Sequence, residues 1–218
     1  MKNVPRVFID SEIQIGKSIS IGPELTHYLN RVMRTDTCLI FNQGDEYTAK
    51  LSQDLKYLTP ESKTGHTDPS NDVTLYFALI KKTDELVAMA TQMGVAILQP
   101  VITQYTNANH IKWDRAQKII IESSEQSGRN SVPKLLQPIN FADMEKSNLI
   151  FADERQAGLA DTFPNNEFKS KNLLIGPEGG FSGAEFAVLE SAGAKSLSLG
   201  KTILRAETAA VVALVKIL

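Results

Sequence analysis

Two short segments in the second half of the chain hold the residues best suited to chemistry. The first, Gly176-Pro177-Glu178-Gly179-Gly180-Phe181-Ser182, follows an apolar run and leads into a Ser-x-x-Glu helix start. Its three glycines let backbone approach a ligand closely or take positive φ, and the proline stiffens the turn. Such a loop offers amide hydrogens and carbonyls that suit the rim of a nucleobase. Taken alone, it reads equally well as a tight strand-to-helix turn with no ligand. The second, Leu199-Gly200-Lys201-Thr202-Ile203-Leu204-Arg205-Ala206-Glu207-Thr208-Ala209, contains Gly-Lys-Thr but lacks a phosphate loop's glycine five residues earlier, where Lys195 stands. A nucleoside triphosphate site is therefore excluded.

The surrounding pattern shows what must hold these segments. From Val73 onward apolar strands alternate with amphipathic helices. Val73–Ile80 is nearly all apolar, as in a strand covered on both faces, and Val95–Ile102, Leu149–Ala152, Leu173–Ile175 and Ser196–Leu199 read as further strands. A helix capped by Asp84 should turn Leu86, Met89, Ala90 and Met93 inward and stop at Gly94. Others run from about Trp113 to Gly128, with Trp113, Ala116, Ile119, Ile120 and Ser123 inward, from Ser182 to Gly193, and from about Leu204 onward. This predicts an α/β domain with a largely parallel sheet. In such sheets ligands sit beyond the carboxyl ends of the strands, so the loops at Asp153-Glu154-Arg155, Gly176–Ser182 and Gly200–Arg205 should line one pocket.

Before Val73 the chain reads as a small β-rich module. Val7–Ile9, Ser18–Ile21, Leu39–Phe41 and Tyr47–Leu51 are short strands, the last two joined by a hairpin turn at Asn42–Asp45. Between them Gly22-Pro23-Glu24 opens a helix with Leu25, Tyr28, Leu29 and Val32 on one face. The polar stretch Thr59–Asp72, with two prolines and a glycine, predicts a linker or surface loop.

At 218 residues the chain has room for two unequal domains. A net charge of −2 excludes coating of nucleic acid by bulk electrostatics, so any RNA site must be local. No stretch has the length of a membrane helix, and the start of the chain lacks a signal peptide's apolar core, which predicts a cytoplasmic protein. Cys38 is the single cysteine and reads as a buried thiol; His27, His66 and His110 have no metal-ligand spacing, so no metal site is expected. Glu122–Asn130 reads, on pattern alone, as an exposed helix end with a favourable cation, Arg129.

Taken together, Ile175–Ser182, Leu197–Gly200 and Ile203–Ala209 resemble the 16S ribosomal RNA uridine-N3 methyltransferases, a family of the knotted SPOUT class. Glu125-Gln126-Ser127-Gly128-Arg129 with Val132-Pro133 resembles that family's other signature, and His27–Arg34 its amino-terminal PUA-like RNA-binding domain. The resemblance spans nearly the whole chain. It implies a PUA-like barrel over residues 1–70, a trefoil-knotted methyltransferase domain over 71–218, a homodimer, S-adenosylmethionine as cofactor, and methylation of uridine 1498 of 16S rRNA or the small subunit. Backbone near Leu174, Gly176, Pro177, Glu178, Gly179, Gly180, Leu199, Gly200, Ile203 and Leu204 should then hold the cofactor. Arg205 should stabilise the uracil oxygens, and Glu207 orient Arg205 or accept a proton, although the two also read as a structural ion pair. Arg129 should reach across the dimer, and Arg6, Arg31 and Arg34 should contact phosphates. Gln92 stands where relatives carry glutamate, and Gln104-Tyr105 replaces a Glu-Arg pair.

Overall fold

The computed structural model describes residues 4–68, 72–107, 110–158 and 172–218. It divides into two compact units: Met1–Ser70 with Ser124–Val132, and Asn71–Ser123 with Pro133–Leu218. The expected boundary between residues 70 and 71 lies outside the described residues, as does the Met1-Lys2-Asn3 start.

In the first unit, β1 (Arg6–Phe8), β2 (Ile19–Ser20), β3 (Thr37–Asn42), β4 (Asp45–Leu51) and β5 (Tyr57–Lys63) form one sheet in the order β1-β3-β4-β5-β2. β1 runs parallel to β3 and the other neighbours are antiparallel. Gln43 and Gly44, with φ of 51° and 88°, make the two-residue β3–β4 turn, whose twist matches that of the strands. Alternate residues Cys38 and Ile40, then Tyr47, Ala49 and Leu51, pack with Val7, Ile9, Leu29 and Leu58 into one core.

Two expectations need correction in this unit. Thr59–Lys63 is not linker but part of β5. Pro60 fits there because the β4–β5 register shifts beside it, at Thr48/Ala49, which spares the ladder a missing donor. The helix opened by Pro23 is α-helical only over α1 (Pro23–His27) and winds as a π-helix over Tyr28–Met33. Wider winding breaks the i, i+3, i+4 face. Leu29 alone of the turn is buried, while Tyr28 and Val32 are 38% and 59% exposed.

The second unit contains β6 (Thr74–Ala78), α2 (Thr83–Gln92), β7 (Ile97–Ile102), α3 (Trp113–Ser127, whose last turn groups with the first unit), β8 (Lys134–Leu135) and β9 (Ile139–Asn140). It continues with β10 (Leu149–Ala152), β11 (Asn172–Ile175), α4 (Gly183–Ser191), β12 (Lys195–Leu197) and α5 (Ala206–Ile217). The strand order is β12-β10-β11-β6-β7-β8, with β9 also on β7, and every pairing is parallel. This is the α/β architecture with a parallel sheet expected from the alternating pattern.

Helix α2 differs in its inward face. Leu86, Val87, Ala90 and Thr91 are buried, and Met89 is exposed. Thr91 is buried at no polar cost because its hydroxyl donates to Val87 O at 2.8 Å. Asp84 lies in the first turn without capping it. Thr83 closes the turn instead, accepting from Ile80 N at 3.1 Å and donating to Ile80 O at 2.8 Å. Among the described residues no helix is long and apolar enough to cross a membrane, and no group of three or more His, Cys, Asp or Glu gathers to hold a metal.

Candidate functional site

Beyond the carboxyl ends of β10, β11 and β12 lies a cleft of about 480 Å³. Its walls come from the three loops singled out above: Ala152, Asp153, Glu154 and Ala157; Ile175 to Gly180; and Leu199, Gly200 and Thr202 to Ala206. Gly176, Pro177, Glu178, Gly179, Gly180, Leu199, Gly200, Ile203, Leu204 and Arg205 are thus brought together. Leu174, one residue before the strand end at Ile175, does not line the cleft, and its side chain is fully buried in an apolar cluster beside Phe151.

The glycine loop is shaped from several sides. Phe181 anchors it in an aromatic cluster, edge-on to Phe186 at 5.6 Å and to Phe151 at 6.4 Å. Gly176 lies directly over that ring, where a Cβ would come within 3.0 Å of it. Gly180 has φ of +71°, and a Cβ there would collide with the Glu154 carboxylate. Ser182 and Glu185 form a reciprocal capping box that starts α4, and Glu185 also accepts from Gln104 N at 2.8 Å.

The Asp153 turn is equally fixed. Asp153 is buried and takes Arg155 in a two-pronged pair at 2.9 and 2.8 Å, while Arg155 also reaches Glu190 at 2.9 Å and stacks 3.6 Å over Phe186. Asp153 is thereby compensated. Glu154 next to it keeps its carboxylate at the cleft wall with no partner among the described residues, a feature that reading the turn as a loop did not single out.

The charged residues divide unexpectedly. Glu178 accepts from Lys81 N at 3.3 Å, tying the glycine loop to the chain after β6. Glu207 does not pair with Arg205. It is buried in the first turn of α5 and faces Lys82 at 3.5 Å, whose ammonium is held above the usual lysine range by Glu85 first and Glu207 second. The signal for Lys82 was its place just past a nearly all-apolar strand, where ligand loops gather. Arg205 takes extended backbone at the N-cap of α5, lines the cleft and has no partner among the described residues.

The remaining arginines belong to the first unit. Arg6 is withdrawn as a phosphate contact because all five guanidinium donors are occupied. They go to Glu46 Oε1 at 2.8 Å, to the carbonyls of Ser124, Glu125 and Arg129 at 3.0 to 3.2 Å, and to Asn130 Oδ1 at 2.6 Å. Arg129 is not displayed for a partner either: its side chain is 13% exposed and pairs with Asp68 at 3.4 Å. The helix end is thus only partly displayed: Gln126 and Ser127 are exposed, while Arg129 and the buried Asn130 turn inward to Asp68 and Arg6. Arg31 and Arg34 are exposed, and Arg34 borders a shallow depression with Asn30, Asp36 and Lys50.

Comparison with known proteins bears on this site. Residues 67–218 match the family model described as an RNA methyltransferase domain. The ribosomal RNA small subunit methyltransferase E of Rickettsia conorii is 30% identical, over 97% of this chain and 94% of its own. The chain belongs to the ribosomal RNA small subunit methyltransferase E family. The family member of Mesomycoplasma hyopneumoniae is 32% identical over 96% of this chain and 97% of its own. Among solved structures, a Legionella pneumophila putative methyltransferase in complex with S-adenosylmethionine superimposes with a TM-score of 0.82 at 25% identity, covering 98% of this chain and 96% of that one. The Neisseria gonorrhoeae family member shares the fold with a TM-score of 0.86 at 24% identity, over 98% and 96%.

Proposed function

We propose that this chain transfers the methyl group of S-adenosylmethionine to N3 of uridine 1498 in 16S rRNA of the small ribosomal subunit. The observation that carries the reading is the cleft: three strand-end loops, rich in backbone donors and acceptors, meet around a volume suited to an adenosine-sized ligand, with Arg205, which has no partner among the described residues, at its wall. Family membership and the cofactor bound by the Legionella protein point the same way.

Uracil N3 carries a proton between two carbonyls, so methylation builds negative charge on the base. The N3 proton passes to solvent water, N3 bonds the methyl carbon as the sulfur–carbon bond breaks with its electron pair returning to sulfur, and S-adenosylhomocysteine is the second product. Arg205, with no partner among the described residues, offsets the charge on the uracil oxygens. Backbone of the glycine loop and of Leu199–Leu204 holds the cofactor, with Glu178 bracing the loop through Lys81. Glu207 acts from below, its pair with Lys82 fixing the first turn of α5 and so the base of Arg205.

The finer architecture belongs to the same reading. Residues 1–70 serve as a PUA-like RNA-binding domain, with Arg31 and Arg34 as phosphate contacts, and 71–218 as a trefoil-knotted catalytic domain. The knot is supported by the last strand, β12, lying beside β10, with the flanking loops joined by Ser198 Oγ to Gln156 O at 3.2 Å and Gly158 N to Gly200 O at 3.1 Å. A homodimer is supported by the exposed Val215 and Leu218 at the end of α5. Calorimetry with S-adenosylmethionine, followed by transfer of labelled methyl to small subunits lacking the modification, tests the function. Saturable binding and one labelled nucleotide are expected; no binding with or without RNA would remove the enzyme reading.

A further inference from the structure

In the second unit, Tyr105 is the one large aromatic among the described residues that is strongly exposed, at 45%. It does not hang on a loose loop. Thr106 N donates to Thr103 O at 3.2 Å, Thr103 N donates to Thr106 Oγ1 at 2.9 Å, and the two hydroxyls meet at 2.8 Å, closing a turn with Tyr105 at its third position. Glu185 of α4 fastens that turn through Gln104 N. The base of the tyrosine lies against Gly179, where a Cβ would come within 3.2 Å of Tyr105 Cβ and 3.7 Å of Cγ. Gly179 lines the cleft on its other side.

A packing role alone would bury the ring; here the residue stays 45% exposed on a hydrogen-bonded turn, with Gly179 against its base. Such an aromatic, with two side-chain torsions to fix, loses little entropy when something flat lies on it. Unpaired RNA bases are flat, and enzymes acting on a base must take it out of its stack, leaving its neighbours without a stacking partner. We propose that Tyr105 is a stacking platform for an unpaired nucleobase of the RNA substrate at the lip of the cleft, held in place by the Thr103–Thr106 turn and Glu185. The proposal rests on the methyltransferase reading for the identity of the substrate.

The test compares full-length Tyr105→Ala, Tyr105→Phe and Tyr105→Trp proteins in RNA binding, methyl transfer to small-subunit rRNA and cofactor calorimetry. Stacking on one base corresponds to about 1–3 kcal/mol. Tyr105→Ala should therefore weaken RNA binding and raise KM for RNA by roughly 5- to 150-fold, with cofactor affinity within about twofold. Tyr105→Phe should stay near wild type, and Tyr105→Trp should bind as well or better with its fluorescence quenched by RNA. Unchanged RNA binding in Tyr105→Ala would overturn the platform. So would Tyr105→Phe as damaging as Tyr105→Ala, which assigns the hydroxyl, or a matching loss of cofactor affinity, which assigns a prop for Gly179. RNA binding that depends on Tyr105 without methyl transfer would sustain the platform and remove the enzyme reading; transfer independent of Tyr105 would do the reverse.

Discussion

Arg6 and Arg205 are the same residue in opposite circumstances. In the first unit Arg6 spends every donor on Glu46, Asn130 and three carbonyls and lies 4.6 Å over the Phe41 ring. In the second unit Arg205 stands at a cleft wall with no partner among the described residues. A buried guanidinium whose fork is filled holds backbone together; one left unpaired beside a ligand-sized volume is available to charge that arrives with a substrate. The difference separates architecture from chemistry more sharply than sequence position does.

The largest effect that could break this contrast is on stability. Arg6→Met leaves Glu46 buried without its cation, at a cost of about 3–5 kcal/mol. A matching drop in the urea midpoint is expected, with cofactor affinity per folded molecule unchanged. A stable Arg6→Met protein that binds RNA poorly would restore Arg6 as a surface contact. Arg205→Ala should do the opposite, lowering kcat by roughly 10²- to 10³-fold, the scale of a lost transition-state donor. Its unfolding midpoint should stay within error, and a large destabilisation would make Arg205 structural.

The next effect concerns the loop that shapes the cleft. Gly180→Ala forces a side chain into a left-handed position, about 1–2 kcal/mol, and drives it into Glu154. As the loop shifts to relieve this, cofactor affinity should fall roughly 5- to 30-fold, and Glu154→Ala in the same chain should recover part of the loss. Full affinity in Gly180→Ala would show that the cofactor does not use this loop.

Much of this was legible in the residues. Strand periodicity gave the parallel sheet, and glycine spacing gave the loop whose backbone the structure bends at Gly180. What sequence could not give was who partners whom. Arg205 and Glu207 are two apart and look like a pair, yet Glu207 meets Lys82, over a hundred residues away. Arg129 follows a helix stop and looks displayed, yet Asp68 folds onto it. Local rules also failed where winding changed: a π-helix at Tyr28–Met33 exposes two residues that α-helical spacing would bury. Threonines misled the reading of α2, because a hydroxyl returned to backbone hides as readily as a methionine.

The smallest effect lies in the first core. Burial pushes the Cys38 thiol up to about 12. Since the folded value is raised, its contribution to stability is complete below the ordinary thiol range near 8.5 and declines as pH rises toward 12. Wild type should lose slightly more stability than Cys38→Ala between about pH 7 and 9 in urea titrations, and iodoacetamide should label Cys38 only after unfolding. Rapid native labelling would contradict its place in the core.

The central claim, that the cleft serves methylation of uridine N3 in small-subunit rRNA, is tested most directly in cells lacking this protein. Mass-spectrometric mapping of their 16S rRNA should show unmodified uridine at position 1498, with 3-methyluridine restored by the wild-type chain and not by Arg205→Ala. Persistence of 3-methyluridine there in the absence of the protein would contradict the account.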